Sequence, residues 1–372
     1  LALALHNRLV QSFGYLDSDI KLLRQMEVMT HFSYLKPLHG VQLIDKTAGS
    51  HIHDSVRFTL PFEQVDSLPV SNNAPIWQLS DQGERYTTEI NLYSHLNNYS
   101  LNINCEGSGT FVFDSQHMQV SWQEGGTSYE HYIQSTAIAC WLELQGVPCI
   151  HANAMCHNND AFLFIAPSRT GKSTLTTHLL SYGFQMMTDD MAALHHIQQG
   201  RYEIYPSWPK IRLWPDSVTN LIGTKLDDAN SVSKDNNTSQ ANQQSTHVGL
   251  HVIEQKNVHA KFAKQELELD VEQGKVWRES SAPLKAIYFL ERSDDIEETC
   301  NIVQLSASKA MILLLQNSML ADAYINLGLE VQRLQWFAVL LGKIKMYKII
   351  YKNGLQHLPE VSEQIKQHSS TL

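Results

Sequence analysis

The sequence predicts an α/β fold in which a phosphate-loop domain follows a smaller β-rich N-terminal domain. Three observations predict it: alternating strand-like segments up to residue 123, a Gly-Lys-Ser-Thr loop between a buried strand and a helix, and an apolar helical region near the end. The 372 residues allow two or three domains, at about 150 residues each. With 43% apolar residues the chain can bury a real core. We place the boundary so that residues 1–126 form the β-rich domain and residues 127–372 the phosphate-loop domain.

In chain order, Ser55–Phe62, Ala74–Leu79, Arg85–Leu96 and Tyr99–Asn104 alternate apolar and polar residues between Gly/Asn/Asp clusters, which reads as strands. Gly107-Ser-Gly109 marks a hairpin, and Thr110–Phe113 and Met118–Trp122 continue the pattern. Tyr129–Leu144 has helical spacing and is followed by Gly146, a helix-stop residue. Ala161–Ile165 is an apolar run of buried-strand length, Lys172–Leu180 a helix closed by Gly183, and Phe184–Met187 a short returning strand. Residues 229–247 are rich in Asn, Ser, Gln and Thr and are expected to form a mobile loop. Ala286–Leu290 is a further buried strand, and Ala307–Lys343 is helical.

Composition narrows the function classes. A net charge of −10 argues against nucleic acid and anionic membrane as partners. No apolar run reaches the roughly 18 residues of a membrane span, and Leu1–Leu5 is too short for a signal-peptide core. The five cysteines (Cys105, Cys140, Cys149, Cys156, Cys300) form no CxxC pair, so a reducing, cytoplasmic compartment is expected. A homo-oligomer is compatible with the sequence.

The chemistry concentrates at Ala166-Pro167-Ser168-Arg169-Thr170-Gly171-Lys172-Ser173-Thr174. Against the template G-x-x-x-x-G-K-[ST], only the first glycine differs, replaced by Ala166. Such a loop turns its backbone N–H groups toward phosphates at a helix N-terminus. Residues 167–174 are thus the expected nucleotide contacts, with Lys172 on the β/γ-phosphates and the Ser173 hydroxyl on Mg²⁺. Lys172 is expected to be an exposed charge that adds nothing to the core. Asp189-Asp190 closes the next strand, where one carboxylate can hold Mg²⁺ and its neighbour can accept a proton from an attacking hydroxyl. Lys210 and Arg212 share a strand face beside Trp208 and Trp214 and read either as a grip for an anionic substrate or as a solvated basic face. Lys261 is a further substrate candidate. His51 and His53 share a strand face but lack a third ligand nearby, so a structural role is favoured over a metal site. Thr224-Lys-Leu-Asp227 follows no buried strand and is discounted as a guanine-reading motif, and HRD and DFG are absent.

The order Ile150-His151-Ala-Asn-Ala154, strand, loop, helix and Met187-Thr188-Asp189-Asp190 resembles HPr kinase/phosphorylase, and more closely the HPr-kinase-like peptide serine kinases of lasso-peptide and similar peptide-modification clusters. Tyr205-Pro-Ser-Trp-Pro209 with Arg212-Leu-Trp-Pro-Asp216, Pro283–Glu291 and Gly354–Glu360 resemble further segments of that family, so the likeness spans about residues 128–365. It implies a domain of HPr kinase/PEP carboxykinase type that uses ATP and Mg²⁺ to phosphorylate a Ser or Thr hydroxyl of a peptide or small protein. By the resemblance, Lys172 binds phosphate, Ser173 and Asp189 serve the metal, Asp189 or Asp190 is the base, and His151 sits near the transferred phosphate. The arginine-glycine-rich signature of true HPr kinases is absent after Asp190, and Ala166 and Arg169 replace loop glycines. The N-terminal domain would recognise substrate. A nucleotide-binding regulator without catalysis, and a kinase of a small-molecule hydroxyl, are the competing expectations.

Overall fold

The computed structural model describes residues 36–45, 56–71, 73–82, 87–96, 98–123, 125–167, 170–197, 200–222, 250–259, 262–271 and 275–372. The expectations for His51, His53, Ser168, Arg169, residues 224–227, residues 229–247 and Lys261 lie outside them. The described chain is mixed α/β with several sheets.

The first sheet has seven strands: β1 (Val41–Asp45), β2 (Phe58–Gln64), β3 (Trp77–Gln82), β4 (Thr87–Ser94), β5 (Tyr99–Asn104), β6 (Ser108–Phe113) and β7 (Met118–Gln123), in the order β1-β2-β7-β6-β5-β4-β3. The β1–β2 and β2–β7 pairs are parallel, the others antiparallel. Alternation buries one face: Leu60, Phe62, Ile90, Leu92, Leu101, Ile103, Phe111, Phe113, Met118 and Val120 all point into one core. Helices α1 (Tyr129–Tyr132) and α2 (Ile138–Leu144) cover that face, joined by a π-helical turn at Ile133–Ala137. Side chains compete with the backbone there: Ser135 Oγ donates to His131 O at 3.0 Å and Gln134 Nε2 to Glu130 O at 3.1 Å. Gly146, at φ +82°, turns the chain out of the helix. Cys149, Met191, Ala193, Trp208, Leu320 and Tyr324, all later in sequence, complete this core.

The second sheet builds the loop. It contains β9 (Ala152–His157), β10 (Asp160–Ile165), β11 (Gln185–Thr188), β13 (His195–Ile197), β14 (Arg201–Ile204), β18 (Ala282–Arg292), β19 (Cys300–Gln304) and β20 (Lys345–Tyr351), ordered β11-β9-β10-β18-β14-β13 with β20 between β18 and β19. A short pair, β8 (Cys149–Ile150) and β12 (Ala192–Ala193), lies apart. Between β10 and β11 runs α3 (Lys172–Leu179). β9 is antiparallel to both β10 and β11, so those two are parallel with β9 inserted. Both faces of β10 are buried, which explains its unbroken apolar run. Phe162 and Phe164 face one core with Leu175 and Leu179 of α3 and Ile365 of α8 (Leu358–Ser370). Leu163 and Ile165 face another with Leu314 of α5 (Ala307–Gln316) and Phe337 of α7 (Glu330–Leu341). The helical stretch expected over 307–343 is interrupted: α5 ends before Asn317, a short α6 (Tyr324–Leu327) follows, and Gly328 at φ +70° turns into α7. No described helix is long and apolar enough to cross a membrane.

A three-stranded sheet stands over the carboxyl end of β11, ordered β15-β17-β16, from β15 (Lys210–Leu213), β16 (Val252–His259) and β17 (Phe262–Leu269). Helix α4 (Pro215–Ile222) follows β15, and Ser217 Oγ lies 2.8 Å from Thr174 Oγ1 of α3. Arg212 is directly opposite Glu266 on β17, and Lys210 opposite Glu268. Opposite charges at cross-strand positions stabilise the pairing.

Candidate functional site

The loop between β10 and α3 is held by short-range turns and one special backbone position. Thr170 Oγ1 donates to Pro167 O at 2.6 Å, and Gly171 adopts φ +85°, a left-handed conformation that favours glycine. Helix α3 starts at the next residue without a side-chain cap on its first N–H groups. Those free donors and the helix dipole make an anion site. Into it goes Lys172. The side chain is only 6% exposed, which corrects the expectation of an exposed charge, and its Nζ has no hydrogen-bond partner. Burial lowers the ammonium pKa, while Asp190 and Asp189 oppose that shift. An unmatched buried charge is costly, so an anionic ligand fits where this ammonium stands.

The aspartate pair ends β11, whose position is fixed by Thr188 Oγ1 accepting the Ala154 N–H at 3.1 Å. Ser173 Oγ donates to Asp189 Oδ1 at 3.3 Å, and the Arg212 backbone N–H donates to Asp189 Oδ2 at 2.7 Å. Asp190 sits at φ +68°, unusual for a non-glycine residue. Asn153 holds it there: its Oδ1 accepts the Asp190 N–H at 3.1 Å while its Nδ2 donates to Thr176 Oγ1 at 2.9 Å. Thr176 in turn donates to Lys172 O at 3.1 Å, so one buried amide couples the aspartate turn to the loop helix.

Charges surround Asp190 from several elements. Its Oδ2 lies 3.5 Å from Arg212 Nη1 and 3.6 Å from Lys264 Nζ. Burial would raise its pKa, but Lys264, Lys172 and Arg212 together outweigh burial and hold the carboxylate ionised. Asp189 moves the other way, raised first by burial and then by the charge of Asp190. His151 is kept neutral: burial, followed by Lys172, lowers it to about 4, and its imidazole is hydrogen-bonded to the Asp190 backbone.

The structure therefore brings Lys172, Ser173, Asp189, Asp190 and His151 together, with Pro167, Thr170, Gly171 and Thr174 in the loop and its helix. Lys210 and Arg212 are already engaged. Arg212 Nε donates to Glu266 Oε2 at 3.0 Å, and Lys210 Nζ lies 3.5 Å from Glu266 and 3.7 Å from Glu268. Arg212 is buried, so neither a solvated basic face nor a free anion grip describes it; it positions Asp189 and Asp190. Asn153, Lys264 and Glu266 were not legible as site residues. The alternation of Lys264, Glu266 and Glu268 along β17 was the available signal for two of them.

Among the described residues no group of three or more His, Cys, Asp or Glu could hold a metal ion. Mg²⁺ needs less from protein, since it keeps waters and takes one or two carboxylates plus substrate phosphates. The facing Ser173 hydroxyl and Asp189 carboxylate fit that requirement.

No family model matches the chain. No curated protein matches it. Among solved structures, the HPr(Ser) kinase/phosphatase from Coxiella burnetii is similar to it at 12% identity, covering 60% of this chain and 97% of that chain, with a TM-score of 0.29.

Proposed function

We propose that this chain is an ATP-dependent kinase that transfers the γ-phosphate to a Ser or Thr hydroxyl of a peptide or small protein. The observation that carries the reading is the partnerless, buried Lys172 ammonium at the open N-terminus of α3, facing two aspartates. A phosphate supplies the missing acceptors. Bound Mg²⁺, held by Ser173 and Asp189, would offset charge on the phosphate oxygens. Lys172 and the first N–H groups of α3 would stabilise charge developing on the transferred group. Asp190 is the base in this reading because it is ionised and, unlike Asp189, is not engaged with the Ser173 hydroxyl. The three cations that hold it ionised also weaken it as a base until nucleotide phosphates offset their charge. The acceptor oxygen forms a bond to the γ-phosphorus, the bond to the ADP oxygen breaks, and the hydroxyl proton passes to Asp190. Neutral His151 and buried Asn153 would fix the backbone turn that aims that carboxylate.

The acceptor class rests on the sequence resemblance, which spans about residues 128–365; residues 127–372 would carry the chemistry, and the β-rich residues 1–126 would dock the substrate. The test is transfer of labelled γ-phosphate to peptides encoded beside this gene, run together with Mg-ATP titration. Labelling of a Ser or Thr in such a peptide is expected. Tight Mg-ATP binding with no labelled peptide, protein or metabolite would make the chain a nucleotide-binding regulator instead.

A further inference from the structure

Lys172 is not the only cation at the loop. Arg292, the last residue of β18, lies beside the carboxyl end of β10, and its guanidinium covers Gly171 so closely that a methyl group there would collide with it. Tyr351, at the end of β20, bridges the two: its hydroxyl accepts from Arg292 Nε at 3.4 Å and donates to Thr170 O at 3.4 Å. Both bonds are long, and the guanidinium has four further N–H donors. Among the described residues no carboxylate pairs with Arg292, whereas its neighbour Glu291 pairs with Lys348. An exposed arginine parked on a phosphate loop without an acidic partner is available to an anion.

Its position also says which anion. The sheet order β11-β9-β10-β18 puts the aspartate pair, at the end of β11, on one side of the loop strand β10 and Arg292, at the end of β18, on the other. Lys172 thus stands at the reacting end with the aspartate pair, and Arg292 at a separate side of the same loop.

We propose that Arg292, positioned by Tyr351, binds the non-transferring phosphates of the nucleotide by a planar, two-pronged contact. This rests on the nucleotide-binding reading above and extends it to a residue outside the loop motif. Arginine suits the task because its fork matches two phosphate oxygens at once, which a lysine ammonium cannot do.

The test is calorimetric titration of the full chain and of Arg292→Met, Arg292→Lys and Tyr351→Phe with Mg-ATP and with Mg-ADP. A charged hydrogen-bonding group lost from a phosphate site weakens binding by about tenfold or more. Arg292→Met is expected to weaken ATP and ADP by the same factor, Arg292→Lys to recover part of the loss, and Tyr351→Phe to lose less. Where transfer is assayed, KM for ATP should rise with kcat nearly unchanged. Since Arg292 is exposed, unaltered thermal melting confirms that the variants fold. If wild-type protein binds both nucleotides and Arg292→Met binds them equally well, the inference fails while the nucleotide reading stands. A loss confined to ATP would place Arg292 on the transferring phosphate and overturn the assignment. Absence of nucleotide binding by wild-type protein would overturn both.

Discussion

Glu143 on α2 and Arg333 on α7 form an ion pair in which both side chains are 0% exposed. Glu143 Oε1 also accepts the Cys149 N–H at 2.7 Å, and the guanidinium lies over the rings of Tyr324, Trp336 and Phe337 at 4.4, 5.2 and 5.4 Å. Burial lowers Arg333 to about 9, still above neutrality, so the guanidinium remains charged at pH 7. Arg333→Met keeps most of the stem but leaves the Glu143 carboxylate buried with neutral neighbours. Removing one partner of a buried pair costs about 3–5 kcal/mol, a large part of the roughly 5–15 kcal/mol of a typical fold. Adding Glu143→Gln removes the stranded charge yet keeps an oxygen for the Cys149 N–H, so the double variant should be more stable than Arg333→Met alone. The assay is urea unfolding, comparing midpoints at constant slope. If the two substitutions cost the sum of their separate effects, the charges do not depend on one another and the reasoning is wrong.

The site and the buried histidines give further tests. Asp189→Asn and Asp190→Asn should each slow phosphoryl transfer by about a hundredfold or more, measured with labelled ATP. Because Asp189 faces Ser173 and Asp190 does not, only Asp190→Asn should keep near-native Mg-ATP affinity; the reverse pattern would exchange their roles. Stability should also fall with acidification below about pH 6.5. Burial lowers His39 to about 3 and His195 to about 4, both below the ordinary 6.5, so the unfolded chain takes up protons first. Each such histidine then costs about 1.4 kcal/mol per pH unit until its folded pKa is reached. Asp189, raised in the fold, works in the opposite sense, but His151 at about 4 adds to the histidine side. Urea unfolding at pH 7.5 and pH 5 measures the difference, and equal stabilities would contradict it.

Much of this was legible because the signals were local. β5 lies at Tyr99–Asn104 as its alternation predicts, and β10 and α3 fall within a residue of their expected ends. Apolar runs, period-two alternation and a Gly-Lys-Ser turn are short-range patterns that burial enforces directly. What was not legible depends on distant pairing. β9 carries Ala152, Asn153 and Ala154, without the bulky residues that mark a strand, and is held by neighbours on both sides. Lys172 carries a loop motif that says nothing of how deeply the fold buries it. Arg212 looked like a free cation because its partner, Glu266, lies 54 residues away across a strand pair. Lys264 reaches Asp190, and the register of β17 against β15 decides that.

The most direct measurement is calorimetric titration of Mg-ATP into wild-type protein and Lys172→Met. The substitution keeps the stem and removes the one buried ammonium that the loop leaves without a partner. Affinity is expected to fall by about tenfold to a hundredfold, as for a lost charged hydrogen bond. Thermal stability should change little, because relief from a buried ammonium without a hydrogen-bond partner is set against loss of a cation that offsets Asp189 and Asp190. Unchanged Mg-ATP affinity in a folded Lys172→Met protein would contradict the account.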